Sequence, residues 1–145
     1  MVWMKKIIVL FLMVVNTVSW KTAAQDNEGD MVGFSCSFIG RPTPLVIKMT
    51  KFASPSKHKK LKKLLLQGNS AEQYLAVVLY EALIDANKIT LTTAERNTIE
   101  KLYRTNATVR ICSGCTFLKN VSISELLNGN HNYQARKWAK RIANK

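Results

Sequence analysis

Residues 112–115 read Cys-Ser-Gly-Cys, and their residue types and spacing could do chemistry. The chain has one other cysteine, Cys36. In an exported protein the simplest prediction is structural: a local disulfide between Cys112 and Cys115, or one of this pair bonded to Cys36 with one thiol left over. Three cysteines cannot all pair within one chain, so the sequence leaves the connectivity open.

The same pair could instead act as a redox dithiol. Two sulfurs at this spacing close a small, reducible ring, and a helix N-terminus beside them would stabilise the attacking thiolate. The spacing resembles that of thioredoxin-like enzymes, which implies thiol–disulfide exchange by Cys112 and Cys115. The resemblance is confined to the spacing, because no proline stands between the cysteines and no strong βαβ pattern surrounds them.

Zinc binding is a third hypothesis for the cysteines. Cys36, Cys112, Cys115 and His131 would make a Cys₃His set, which suits a tetrahedral zinc ion. Only one close ligand pair exists in this set, so we predict no metal site. Covalent haem attachment is excluded, because it needs histidine directly after the second cysteine and Thr116 stands there.

Motifs of the common enzyme classes are missing from the sequence. It contains no glycine-rich phosphate loop, no nucleophile elbow and no His-Glu-x-x-His zinc motif. His58 lies in a run of lysines, where we expect a solvated surface residue. We therefore favour a protein that is not an enzyme, and we predict no catalytic residue and no cofactor.

The N-terminus has the pattern of a cleavable signal peptide. Lys5 and Lys6 precede an apolar stretch, residues 7–20, and Thr22-Ala23-Ala24 supplies small residues for cleavage before Gln25. The apolar stretch is shorter than the about 20 residues that span a bilayer. We predict residues 1–24 as signal peptide, 25–30 as a flexible tail and 31–145 as a single small basic domain, in the periplasm or the extracellular medium.

The charge of the chain is strongly positive and unevenly placed. The formal net charge is +13, and it is +10 without residues 1–24, which hold three lysines and no acid. Residues 48–63 hold seven lysines and no acid, and residues 131–145 hold five basic residues and no acid, whereas residues 64–130 hold six of each. This distribution favours either a cationic face or lysines that only solvate exposed helices.

A cationic face would attract an anionic envelope component or an acidic protein. We expect no nucleic acid as partner, since an exported protein seldom meets it and the lysine block shows no aromatic stacking pattern. The sequence does not indicate the oligomeric state. The candidate anion-binding residues are Lys57, Lys59, Lys60, Lys62, Lys63, Arg136, Lys137, Lys140 and Arg141.

The pattern of apolar residues predicts an α+β fold that is mainly α-helical. Alternating apolar residues predict an N-terminal β-hairpin of residues 31–39 with residues 44–50. Leucine spacing predicts a helical hairpin, residues 57–67 and 71–87, whose second helix is central. Ser70 with Gln73, and Thr92 with Glu95, predict capping boxes. Two to three further helices follow, and residues 107–112 show the alternation of a strand.

The last predicted helix, residues 132–144, is basic and amphipathic. Its apolar residues are Ala135, Trp138, Ala139 and Ile142. Such a face can lie in a membrane interface, which is one alternative for this protein. We favour docking of this face on the core, because the apolar side is modest in size.

Overall fold

The computed structural model describes residues 30–114 and 116–145, without the side chains of Pro55 and His131. The predicted signal peptide, and the predicted tail except Asp30, lie outside the described residues. Within them the chain forms six α-helices and one three-stranded sheet. The predicted mainly α-helical α+β class is confirmed.

The predicted N-terminal β-hairpin is wrong in its first arm. Strand β1 is only Met31–Val32, and it pairs in parallel with a strand far along the chain. The chain then turns back on itself, with reciprocal backbone hydrogen bonds between Cys36 and Arg41 at 2.8 and 3.1 Å. Ser37 and Gly40 have φ angles of 61° and 62° there, which a continuous strand does not permit.

The second arm of that hairpin is also wrong, because it is helix α1, Pro44–Thr50. Pro44 stands in the first turn, where a missing N–H costs nothing. Leu45 and Met49 alternate with Ile47 as in a strand, but they are also four residues apart and share a helical face. Both are buried, whereas Ile47 is 48% exposed.

A β-hairpin does exist in the C-terminal half of the chain. Strand β2, Thr108–Ser113, matches the predicted strand, and it pairs antiparallel with β3, Phe117–Ser122, which the sequence analysis missed. The sheet order is β1-β2-β3. Ser113 pairs with Phe117, so the Cys-Ser-Gly-Cys motif lies at the turn between the two strands.

The helices follow the predicted order with small shifts at their ends. Asn69, not Ser70, caps the central helix: its side chain accepts a hydrogen bond from the Glu72 N–H at 2.9 Å, and Glu72 accepts one from the Asn69 N–H at 3.2 Å. The Thr92–Glu95 capping box is confirmed. The helices are α2, His58–Gln67; α3, Ser70–Asp85; α4, Thr93–Leu102; α5, Ile123–Asn128; and α6, Tyr133–Ala143.

Helix α3 is the centre of the molecule, as predicted. The other five helices and strand β2 pack around it. Its buried residues are Ala71, Tyr74, Leu75, Ala76, Val77, Val78, Leu79, Tyr80, Ala82 and Leu83. Among the described residues, no helix has the length and hydropathy needed to cross a membrane.

Candidate anion-binding cleft

Helix α6 is fixed on the core by its apolar side. Ala135, Trp138 and Ala139 are buried, as is Ala143 at its end. The Trp138 indole Nε1 donates a hydrogen bond to Thr50 Oγ1 at 3.1 Å, and its ring centroid lies 5.4 Å from that of Phe34. Core docking of this face is therefore confirmed, and the face is not available to a membrane while α6 stays packed.

The opposite side of α6 forms a cleft of about 460 Å³, which we call the cationic cleft. Lys137 lies over the Tyr133 ring, with Nζ 6.0 Å from the ring centroid. Arg136 Nη2 donates a hydrogen bond to the Leu127 carbonyl at 3.2 Å. Among the described residues, no acidic side chain lines the cleft. Its lining residues are Gly129, Asn130, Asn132, Tyr133, Arg136, Lys137 and Lys140.

A buried polar contact lies at the start of α6, beside the cationic cleft. The Tyr74 hydroxyl donates a hydrogen bond to Asn132 Oδ1 at 3.0 Å, and both side chains are buried. Burial raises the pKa of Tyr74, which keeps the hydroxyl protonated as a donor. This contact therefore holds the start of α6 in place and adds no charge.

Arg136 differs from the two lysines because an acid lies behind it. The Tyr103 hydroxyl donates a hydrogen bond to Glu81. Burial and this hydrogen bond raise the pKa of Tyr103 to about 12, although the charge of the nearby Arg136 lowers it in part. Arg136 and Glu81 thus act on the same tyrosine in opposite directions. Lys137 and Lys140 supply the cleft's remaining positive charge.

The predicted anion-binding lysines of α2 lie on a different surface from the cationic cleft. Gln73 and Tyr80 of α3 face α2: Gln73 donates to the Leu65 carbonyl at 3.3 Å, and the Tyr80 ring lies 5.3 Å from that of His58. Tyr74, which contacts the start of α6, is one residue from Gln73, or about 100° around the helix. The lysines of α2 and the basic residues of α6 are therefore two surfaces.

The α2 lysines lie outside the cationic cleft, and two of them have separate contacts. Lys60 Nζ lies 5.9 Å from the centroid of the Phe52 ring. Lys62 reaches inward, with Nζ 3.5 Å from Glu95 Oε1. Lys57, Lys59 and Lys63 are exposed, as is Arg141 on α6, and none of these four lines the cationic cleft.

Glu95 forms a buried polar cluster under α2 that the sequence analysis missed. Its side chain is 0% exposed and accepts hydrogen bonds from the Tyr80 hydroxyl at 3.0 Å and from Thr92 Oγ1 and N at 2.7 and 2.8 Å. Burial raises the pKa of the Glu95 carboxyl. The hydrogen bonds from Thr92 and Tyr80 and the charge of Lys62 lower it by more, so the net pKa is below its ordinary value.

His58 belongs to this cluster, which corrects its prediction as a solvated surface residue. Its Nε2 lies 3.9 Å from Glu95 Oε1 and has no hydrogen-bond partner among the described residues. The arrangement of Glu95 matches a helix cap with an added ion pair. It stabilises the start of α4.

The cysteines give a structural crosslink. Cys36 is bonded to Cys112, which is one of the predicted connectivities. Neither sulfur of this bond is a thiolate, so the Cys112–Cys115 dithiol and the Cys₃His zinc set do not form in this state. Cys115 and the His131 side chain lie outside the described residues. Within the described part of the chain, no group of three or more metal-ligating side chains comes together.

Sequence reasoning found the charges of the cationic cleft but not its other walls. Asn130, Asn132 and Tyr133 looked like loop residues and a helix start. The four-residue spacing of Tyr133 and Lys137 could have indicated their contact, since residues four apart share a helix face. No protein-family model, no curated protein and no solved structure matches this chain.

Proposed function

We propose that the protein is a non-enzymatic interaction module that binds an anionic group of an envelope component, with an acidic protein as the alternative partner. The observation that carries the proposal is the lining of the cationic cleft. Arg136, Lys137 and Lys140 converge on one concave surface, and the described residues of its wall include no acid. Clustered cations in a concave site raise the local concentration of anions.

The chemistry of the lining suits a phosphate or carboxylate group. Arginine offers a planar set of donors that matches both groups, and lysine adds a mobile point charge. The Tyr133 ring holds Lys137 from one side, which restricts the lysine before any ligand binds. The α2 lysines have no such convergence, so we assign them a supporting electrostatic role.

Vesicle co-sedimentation tests this assignment. The protein is mixed with vesicles that contain phosphatidylglycerol, and with vesicles of phosphatidylcholine alone, over a range of salt concentrations. Each lysine near an anionic surface contributes about 1 kcal/mol, so Lys137→Gln with Lys140→Gln should weaken binding by about thirtyfold. Binding should also fall steeply with salt.

The matched control removes the same charge from α2. Lys59→Gln with Lys63→Gln leaves the cationic cleft intact and should change the affinity by less than about threefold. Equal losses in the two double variants would show that only total charge matters, and the cleft assignment would be abandoned. A hexaglutamate peptide that binds while the vesicles do not would select the acidic-protein alternative.

We also propose that the protein is exported after cleavage between Ala24 and Gln25. The Cys36–Cys112 disulfide supports this, because such bonds persist mainly in oxidising compartments. The intact mass of protein from the exported fraction should equal that of residues 25–145 less two hydrogens for the disulfide. A mass that includes residues 1–24 would contradict the cleavage.

A further inference from the structure

A second cavity, of about 580 Å³, opens next to the cationic cleft, and we call it the apolar cavity. Its volume lies within the range of about 300–1,000 Å³ that is usual for small-molecule sites. Five of its twelve lining residues are large apolar side chains: Val32, Phe34, Ile111, Phe117 and Leu126.

The two cavities share part of their lining. Asn130 and Tyr133 line both the apolar cavity and the cationic cleft. Lys137 and Lys140 line the cationic cleft and are not among the lining residues of the apolar cavity. A single ligand with an anionic end and an apolar end could occupy both.

Large apolar side chains at the edge of the cavity are left in water. Phe117 is 49% exposed and Tyr133 is 68% exposed, although both line the cavity. Exposed aromatic side chains around a concave apolar surface are typical of a binding site, because a ligand can cover them.

The wall behind the cavity contains the disulfide bond. The Cys36–Cys112 disulfide crosslinks the chain after β1 to strand β2. Gly33 lines the cavity and packs so closely on this bond that an added Cβ would overlap Cys36 Sγ and lie 2.8 Å from the Cys112 carbonyl oxygen. A crosslinked wall keeps the cavity open without a ligand, which lowers the entropic cost of binding.

We propose that the ligand is a single-chain amphiphilic anion, bound as one molecule, with its headgroup in the cationic cleft and its alkyl chain in the apolar cavity. This inference rests on the proposed function and names its ligand class. Charge complementarity fixes the orientation, since the cations lie only at the cleft end of the shared lining. The alkyl chain covers the exposed faces of Phe117 and Tyr133.

Isothermal titration with alkyl phosphates tests the inference on the full chain. Inorganic phosphate, octyl phosphate and decyl phosphate are compared below their micelle concentrations. Burial of one methylene contributes about 0.8 kcal/mol, or about fourfold in affinity, so decyl phosphate should bind more than tenfold tighter than octyl phosphate. Decyl maltoside, which has the same chain and no charge, should bind at least tenfold more weakly than decyl phosphate.

Two variants and one matched control test where the alkyl chain of the ligand binds. Phe117→Ser should remove most of the chain-length dependence and leave the affinity for inorganic phosphate unchanged. Ser113→Tyr should have the same effect by filling the cavity, since Ser113 pairs with Phe117 and lines the cavity. Phe38→Ser removes a phenylalanine that is 95% exposed and outside the cavity wall, and it should change nothing beyond twofold.

The outcomes separate this inference from the proposed function. If inorganic and decyl phosphate bind alike, and both need Lys137 and Lys140, the apolar half is overturned and the anion module stands. If decyl phosphate binds equally to the Lys137→Gln/Lys140→Gln variant, the anion module fails and so does the amphiphile. Binding to anionic vesicles without binding of monomeric decyl phosphate would also overturn the inference.

Discussion

Helices α2 and α6 both turn basic side chains toward solvent, but different structures lie beneath them. Under α2 is the buried Glu95 carboxylate, which draws Lys62 inward. Beside α6 is a cleft into which Lys137 and Lys140 converge, and no acid is present among the lining residues that the structure describes. The same residue type thus serves folding at one helix and a candidate binding site at the other. Charge density along the sequence does not distinguish the two roles, because it carries no information on convergence.

Removal of the Glu95 side chain should have the largest effect on stability. In Glu95→Ala the Tyr80 hydroxyl, the Thr92 N–H and Lys62 lose their partner, and we expect a loss of about 3 kcal/mol in the free energy of unfolding. Urea denaturation followed by circular dichroism measures it. Glu100→Ala removes an exposed acid from the same helix and should change stability by less than about 0.5 kcal/mol. Similar losses of unfolding free energy in both variants would mean that Glu95 contributes no more than an exposed acid of the same helix.

Acid should weaken the α2 side of the molecule through the same carboxylate. The pKa of Glu95 in the folded protein lies below its ordinary value of 4.5. Its contribution is therefore complete above about pH 4.5 and is lost as the pH falls through the folded pKa. Unfolding free energies measured from pH 6 to pH 3 should fall more steeply in the wild type than in Glu95→Gln. Equal slopes would contradict the depressed pKa.

A smaller effect should separate the apolar side of α6 from its basic side. Thr50→Val removes the acceptor of the Trp138 indole N–H and should cost about 1 kcal/mol. Thr98→Val is a matched control, because both threonine hydroxyls donate a hydrogen bond to a backbone carbonyl four residues earlier. Among the described residues, only the Thr50 hydroxyl of the two also accepts a hydrogen bond from an indole. Equal costs would mean that the indole contact contributes nothing to the docking of α6.

The smallest effect on stability should come from the lysines of the cationic cleft. Lys137→Gln with Lys140→Gln should change the free energy of unfolding by less than about 0.5 kcal/mol, because exposed charges contribute little. The same denaturation experiment gives this value for the protein used in the vesicle assay. A loss of stability equal to that of Glu95→Ala would make the binding defect a folding defect and would remove the contrast between the two helices.

Local signals in the sequence predicted the helices after residue 57 well and residues 31–50 poorly. The Thr92–Glu95 capping box and the leucine spacing of α2 act within a few residues, so the sequence was enough to find them. In residues 44–50 the alternation of Leu45, Ile47 and Met49 fits a strand as well as a helical face. The contacts of Leu45 and Met49 with the core decided between these alternatives, and they are not local.

The candidate site was half predictable for the same reason. The basic residues of α6 were named from the sequence, since charge is a property of composition. Their convergence with Asn130 and Tyr133, and the cavity behind Phe117, depend on how α6 packs against α3 and the sheet. The burial of Glu95 beside Tyr80, which is fifteen residues away, likewise depends on the angle between two helices.

The sequence by itself determined the mainly helical α+β class, the central position of residues 70–85 and the location of the positive charge. These follow from hydrophobic periodicity and residue type, which are local properties of the chain. The tertiary structure alone decided which cysteine bonds to Cys112, which lysines converge and where a cavity remains. Those outcomes depend on the relative placement of segments far apart in the chain, since only packing brings such residues within contact distance.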